Sequence, residues 1–191
     1  MKNKDNDKAE GFNLLILKSL KFFIENPYKE IHLREFSRKL NISPNTAQRF
    51  LNLFLNEGLI KEERKANSRY FKANTDNILF KHIKITYSLR ELNKKDLILS
   101  LKNNSSHVVL FGSVAKGLDE ENSDIDLLII SDDKKKIKDI LFNIQDKFDR
   151  EINYHIFSWS EWKKQKTENK AFYQDIISTG INLIGEIPLV N

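Results

Sequence analysis

Two aspartates placed two residues apart, Asp124 and Asp126, stand at the head of the apolar run Leu127-Leu128-Ile129-Ile130. Upstream, a second apolar run, Val108-Val109-Leu110-Phe111, delivers a Gly112-Ser113 pair. Glycine lets the backbone approach a ligand closely. Backbone N–H groups at the start of a helical turn, with the Ser113 hydroxyl, form a cradle suited to phosphate. Lys116 adds positive charge beside it. Residues two apart on a strand share a face, so Asp124 and Asp126 present their carboxylates to one volume. Neighbouring carboxylates repel and call for a cation. Mg²⁺ (or Mn²⁺) fits, because it takes oxygen ligands and shares phosphate oxygens with a substrate. A phosphate cradle facing a paired-carboxylate metal site is equipment for phosphoryl or nucleotidyl transfer. The plainer alternative is two aspartates capping a surface turn after Asn122-Ser123.

The elements that must hold these residues follow from periodicity. His107–Phe111 reads as a short buried strand, and Ser113–Lys116 begins a helical turn. Ile125–Ile130 is a second strand, Lys134–Phe148 an amphipathic helix, and Glu151–Phe157 a third strand. A helical segment capped by Ser160 follows. The expectation is a small mixed sheet with flanking helices. On the third strand Glu151, Asn153 and His155 share one face.

Gly112-Ser113, ten intervening residues and then Asp124-x-Asp126 resemble the minimal members of the polymerase-β-like nucleotidyltransferase superfamily. Ala115-Lys116-Gly117 and Ser123, directly before the first aspartate, fit the same pattern. The resemblance covers roughly residues 104–185. It implies that Gly112 and Ser113 contact a nucleoside triphosphate, expected to be ATP, with Lys116 and Ser123 beside them. It also implies that Asp124 and Asp126 hold Mg²⁺. The family takes a third carboxylate from a later strand, and here Asn153 aligns with it. An amide is a poor Mg²⁺ ligand and no base. Glu151, one pleat away, takes that catalytic role only if the register moves. Minimal relatives act as antitoxins that adenylylate a partner toxin, so a protein hydroxyl is an implied acceptor. His155 is read as a packed or half-exposed side chain.

The upstream residues form a different pattern. Gly11–Glu25 reads as a helix with Leu14, Leu15, Ile16, Leu20 and Phe23 on one stripe. Ile31–Leu40 is a second, short helix. Ser43 caps a third, with Pro44 at its first position, running to about Glu57 and burying Ala47, Phe50, Leu51 and Phe54. The strands Leu59–Lys65 and Arg69–Ala73 then form a hairpin with Ala66-Asn67-Ser68 at its tip. This order resembles the winged helix-turn-helix of prokaryotic transcription regulators. Asn45, Thr46, Gln48, Arg49 and Asn52 point away from the core, the side-chain vocabulary of major-groove readers. Lys61, Arg64, Lys65, Arg69 and Lys72 on the wing suit phosphates. DNA is the expected partner; dimerisation or protein docking is the alternative use of this element.

The fold class expected is α+β, with an N-terminal winged helix-turn-helix and a C-terminal nucleotidyltransferase fold. Its parts are a disordered tail over 1–10, the winged helix over 11–75, a connecting helix over 76–103 broken near Asn93, and the nucleotidyltransferase domain over 104–191. Residues 1–75 carry 15 Lys/Arg against 9 Asp/Glu, a net +6 in a chain of net +5. The basic excess thus lies wholly upstream, which suits a polyanion partner or a lysine-rich surface. The chain has no cysteine, which excludes disulfides, thiolate zinc sites and a cysteine nucleophile. With no apolar run of membrane-spanning length and a polar start, the expected location is the cytoplasm. The 76–103 helix is the expected surface for a homodimer. A second functional reading is a DNA-binding regulator whose degenerate nucleotidyltransferase domain only binds nucleotide or a partner protein.

Overall fold

Phenylalanines at helical spacing build the N-terminal core in the computed structural model, which describes residues 15–190 except Leu17 and Asn67. The expectations for residues 1–14, including Leu14 and the tail, and for Asn67 lie outside the described residues. Helix α1 runs over residues 18–25. It is followed by β1 (Ile31–His32), α2 (Leu33–Leu40) and α3 (Pro44–Asn56). Strands β2 (Ile60–Lys65) and β3 (Ser68–Ala73) then form the wing. Phe22, Phe23, Phe36 and Phe54 bury their rings together, with Phe23 5.4 Å from Phe36 and 6.2 Å from Phe54. Ser43 caps α3 by accepting from the Thr46 amide, and Pro44 occupies the first turn. Ala47, Phe50, Leu51 and Phe54 are its buried face. Three strands in the order β1-β3-β2 complete a winged helix-turn-helix.

Two local readings are corrected. The second helix starts at Leu33 rather than Ile31, because Ile31 and His32 pair with Phe71 and Tyr70 of β3. His32 then caps α2 through Nδ1, which accepts from the Glu35 amide at 3.3 Å. Ser68 belongs to the wing strand opposite Lys65 rather than to the tip.

The chain divides into two compact units between Lys81 and His82. Helix α4 (Ile78–Lys94) ends near the expected break, Asp96 turns the chain with a left-handed φ of 64°, and α5 (Leu97–Leu101) follows. The C-terminal unit then alternates: β4 (His107–Phe111), the single turn α6 (Gly112–Ala115), β5 (Ile125–Ile130), α7 (Lys134–Gln145) and β6 (Ile152–Phe157). Helices α8 (Trp159–Glu168) and α9 (Lys170–Thr179) precede a last strand, β7 (Ile181–Ile184). The sheet order is β6-β5-β4-β7. The β5–β6 pair is parallel, and the β4–β5 and β4–β7 pairs are antiparallel.

Alternation along the strands sends side chains into two cores. Val108, Leu110, Leu127 and Ile129 pack with Leu97, Leu101, Ile137 and Leu141. Val109, Leu128 and Ile130 pack with Trp162, Tyr173 and Ile176. The apolar run of β5 is therefore buried on both faces, as a central strand requires. Trp162 is fully buried and donates Nε1–H to the Pro188 carbonyl at 2.7 Å.

The C-terminal helices differ from expectation at their ends. Ser158, not Ser160, caps α8 in a reciprocal box with Glu161. The Ser158 amide and hydroxyl, together with Lys134, hold the Glu161 carboxyl down at about 2, the Lys134 bond weighing most. Strand β7 was not expected: Ile181-Asn182-Leu183-Ile184 is too short to show its period, and only the free edge of β4 makes it a strand. No helix among the described residues is long and apolar enough to cross a membrane.

Candidate functional site

The register of β4 on β5 sets Phe111 opposite Asp126, so the next residue, Gly112, turns the chain beside that carboxylate. Gly112 has φ +71°, where L side chains are strained. A Cβ there would collide with Asp126 Oδ2 and stand 3.0 Å from its Cγ. Glycine is thus required twice, by the backbone and by the acid it faces. Gly112→Ala is expected to destabilise the fold by about 1–3 kcal/mol and to displace the Asp126 carboxylate. Melting temperature and binding of a fluorescent ATP analogue would check this. Wild-type binding in the variant would show that the turn and the acid do not share a ligand.

On its other side, β5 places Asp126 opposite Asn153 of β6. The Asn153 amide donates to Asp124 Oδ2 at 2.9 Å. Asp124, Asp126 and Asn153 therefore converge within reach of the Gly112 turn. Asp126 is half-buried. Burial first, and the neighbouring Asp124 charge second, push its carboxyl above the ordinary range, while Asn153, His155 and Arg150 act in the other direction. A divalent cation relieves both causes. The donors are hard oxygens, the kind that Mg²⁺ or Mn²⁺ takes.

The other expected site residues divide. Ser113 sits half-buried in α6, beside Gly112. Lys116 pairs with Asp175 of α9 at 2.8 Å, and Thr179 also bonds that carboxylate at 3.1 Å. The Lys116 bond is the main reason the Asp175 carboxyl lies low. Lys116 thereby ties the turn to α9. Ser123 bonds inside its own loop: its hydroxyl accepts from the Glu120 amide at 2.7 Å.

The Glu151 backbone runs beside the aspartate strand, its carbonyl accepting from the Ile125 amide at 2.8 Å. The residue is exposed at the foot of β6 and lines a cleft of about 500 Å³ with Leu141, Phe142, Gln145 and Tyr154. Among the described residues no cluster of three or more His, Asp or Glu side chains could hold a metal. The register holds Asn153, not Glu151, opposite Asp126, because Ile125 pairs with Ile152. His155 is exposed at one edge of an aromatic group, 5.1 Å from the Phe172 ring and 6.1 Å from Phe111.

Three residues escaped the sequence reading. Arg150 donates to the Ser123 carbonyl, to Asp124 O at 3.4 Å and to Asp119 Oδ2 at 3.0 Å. Lys84 reaches Asp119 Oδ1 at 3.2 Å, and both side chains are almost fully buried. Asp119-Glu120-Glu121 reads locally as a solvated acidic loop. Nothing within a short window reveals that two cations, 35 residues before and 31 after, converge on its first acid.

In the N-terminal unit, Asn45, Arg49 and Asn52 are exposed on α3, and Thr46 and Gln48 are half-buried. Gln48 donates to Asn52 Oδ1 at 2.8 Å, and Thr46 Oγ1 lies 2.9 Å from the Ser43 hydroxyl. The wing cations stand beside acids. Arg69 is held bidentately by Glu62 at 2.6 and 2.7 Å, with Arg64 3.7 Å from the same acid. Lys65 pairs with Glu30 at 2.5 Å, Lys72 with Glu63 at 3.3 Å and Lys61 with Asp76 at 2.6 Å. Cross-strand register puts Glu62 and Glu63 among the cations, so the wing carries mixed charge.

Residues 89–177 match the family model of the nucleotidyltransferase domain. No curated protein is significantly similar in sequence to the chain. Among solved structures, similarity is found to a toxin-antitoxin with AMP-PNP, at 21% identity over 50% of this chain and 75% of that one, with a TM-score of 0.36. It is also found to reduced HlyU from Vibrio cholerae, at 15% identity over 43% of this chain and 90% of that one (TM-score 0.30). A third is NolR from Sinorhizobium fredii, at 16% identity over 47% of this chain and 92% of that one (TM-score 0.31). Gly112, Ser113, Asp124, Asp126 and Asn153 all fall within the span that matches the nucleotidyltransferase domain model.

Proposed function

We propose that this protein transfers a nucleoside monophosphate from a nucleoside triphosphate, with ATP the expected donor, to a hydroxyl acceptor. The observation that carries this reading is the packing of Gly112 against the Asp126 carboxylate, with Asp124 bonded to Asn153, the residue opposite Asp126 across the strands. Asp124 and Asp126 would hold a Mg²⁺ ion (Mn²⁺ serving equally). When bound, that ion neutralises charge on the phosphate oxygens. The Gly112 turn and the Ser113 hydroxyl offer donors to the triphosphate. In the transfer, the acceptor oxygen bonds to the α-phosphorus, the bond to pyrophosphate breaks, and the hydroxyl proton leaves to solvent. Asn153 is neutral and takes no proton, so positioning and charge neutralisation carry the rate. The acceptor proposed is a protein hydroxyl, as the resemblance to antitoxin-like adenylylating enzymes implies.

Incubation with ATP labelled at the α-phosphorus, Mg²⁺ and the products of neighbouring genes tests the reading. Transfer of label with release of pyrophosphate supports it. Nucleotide binding without release of pyrophosphate would leave the second reading, a regulator whose domain only senses nucleotide; the neutral Asn153 beside the acids is the observation that favours it.

DNA binding through α3 is the second part of the proposal. Because the wing cations are matched by acids, base contacts from Asn45, Arg49 and Asn52 should dominate over wing phosphates. Arg49→Ala is expected to weaken binding to the cognate site by about 1–3 kcal/mol. Arg64→Ala should change it far less and leave its salt dependence nearly intact. Fluorescence anisotropy over a salt series would decide. Equal losses for both variants would restore the wing as the main phosphate contact.

A further inference from the structure

Asp126 and Asp124 are held in different ways. Asp126 sits inside β5, with Phe111 on one neighbour and Asn153 on the other. Asp124 precedes the strand, which begins at Ile125. Its backbone belongs to the loop that leaves α6, and a loop does not by itself fix a metal ligand. We infer that Arg150 is the positioning residue that fixes Asp124, an inference that rests on the nucleotidyl-transfer reading above.

The guanidinium spends its donors on this one loop. Nε–H donates to the Ser123 carbonyl and Nη2 to the Asp124 carbonyl at 3.4 Å, while Nη1 binds Asp119 Oδ2 at 3.0 Å. Asp119 is 4% exposed. Lys84, 3% exposed, grips it from α4, through Oδ1 at 3.2 Å and through the Asp119 carbonyl. The loop is thus pinned at its start by Lys84 and at its end by Arg150. The Ser123 amide closes the span between them by donating to the Glu120 carbonyl at 3.1 Å.

Arg150 is itself fixed. Gln145 of α7 donates to its carbonyl at 2.9 Å and accepts from the Ile152 amide at 3.0 Å. The Ile125 amide, next after Asp124, donates to the Glu151 carbonyl, next after Arg150, at 2.8 Å. The clamp and the β5–β6 ladder therefore share one frame. Burial presses the Lys84 ammonium below its ordinary range against the attraction of Asp119. A buried ion group of this kind adds little net stability, since desolvation offsets the attraction. What it supplies is geometry: a rigid planar fork satisfies three acceptors in fixed directions, which a lysine ammonium cannot do.

The test reads metal-dependent nucleotide binding rather than turnover. A fluorescent ATP analogue is titrated with Mg²⁺ against wild type, Arg150→Gln, Arg150→Lys and Leu141→Ala. Leu141 is a core residue of the same unit and serves as a control for lost stability alone. The Mg²⁺ concentration for half-maximal binding should rise about tenfold in Arg150→Gln, the scale on which partners of ligating carboxylates act. It should rise by a smaller factor in Arg150→Lys. Leu141→Ala should melt earlier and keep the wild-type Mg²⁺ dependence. Wild-type Mg²⁺ dependence in both Arg150 variants overturns the inference, as does an equal shift in Leu141→Ala. Failure of both Arg150 variants to fold makes the residue structural and overturns it too. Absence of Mg²⁺-dependent binding in wild type sinks the functional reading itself, a result distinct from these.

Discussion

Asp126→Asn should lower label transfer by about 10³-fold and, without Mg²⁺, make the protein more stable. The activity loss follows from removing one of two metal carboxylates: several kcal/mol of charge stabilisation corresponds to about three powers of ten in rate. The stability gain follows from the environment of the group. Burial and the Asp124 charge raise the Asp126 carboxyl, so the folded state binds that proton more tightly than the unfolded chain. Its contribution to stability is fully present below the unfolded carboxylate range, about 3.9, and is lost as pH rises through the higher folded value. At neutral pH the charged group is a net burden that the amide removes while keeping an acceptor for Asn153. Relief of such strained functional groups is worth about 0.5–2 kcal/mol, or a few degrees of melting temperature. Melting curves at pH 7 and below pH 4, with and without Mg²⁺, provide the check. The variant should melt above wild type at pH 7 without metal, and the gap should close in acid. Mg²⁺ should raise the melting temperature of wild type only. Transfer by the variant within about tenfold of wild type would remove Asp126 from the metal site.

The readable part of this molecule was the part whose causes are local. Ser43-Pro44 starts a helix by its own hydrogen bond and fixed φ. The run Leu127–Ile130 declares a strand buried on both faces, and Gly112-Ser113 with Asp124 and Asp126 declares a shared site. Wherever the cause was a distant partner, the sequence was silent. Ile181–Ile184 becomes a strand only beside β4, and Ile31-His32 only beside β3. The pairing of charges on the wing is set across the strands, where Glu62 and Glu63 stand opposite Phe71 and Tyr70, flanked by Lys72 and Arg69. Arg150 is the sharpest case. Its position gives no hint of Asp119, and the bond between them exists only once β6 has paired with β5. Glu151 stands one pleat from Asn153 along β6, and register alone separates the two.

That separation makes Asn153→Asp the second decisive variant. The amide donates to Asp124 at 2.9 Å and stands opposite Asp126 across the strands, so it already occupies the place where a third acid would serve. Replacing it removes a donor and adds a like charge to an existing carboxylate pair. Without metal, the variant should lose about 0.5–3 kcal/mol of stability, more at neutral pH than in acid, because like charges then share one site. With Mg²⁺ the sign reverses. The added carboxylate supplies an oxygen ligand and a base for the acceptor hydroxyl, and a positioned base contributes about 10²-fold or more to such a step. Label transfer should rise on that scale, and the Mg²⁺-induced gain in melting temperature should exceed that of wild type. Glu151→Ala should leave both quantities unchanged, since Asn153, not Glu151, bonds the Asp124 carboxylate. If transfer does not rise in Asn153→Asp, and instead collapses in Glu151→Ala, the strand must shift on substrate binding and Glu151 is the third acid. If Asn153→Asp gains metal affinity but neither protein releases pyrophosphate, the domain is a nucleotide sensor, and the asparagine is what keeps it one.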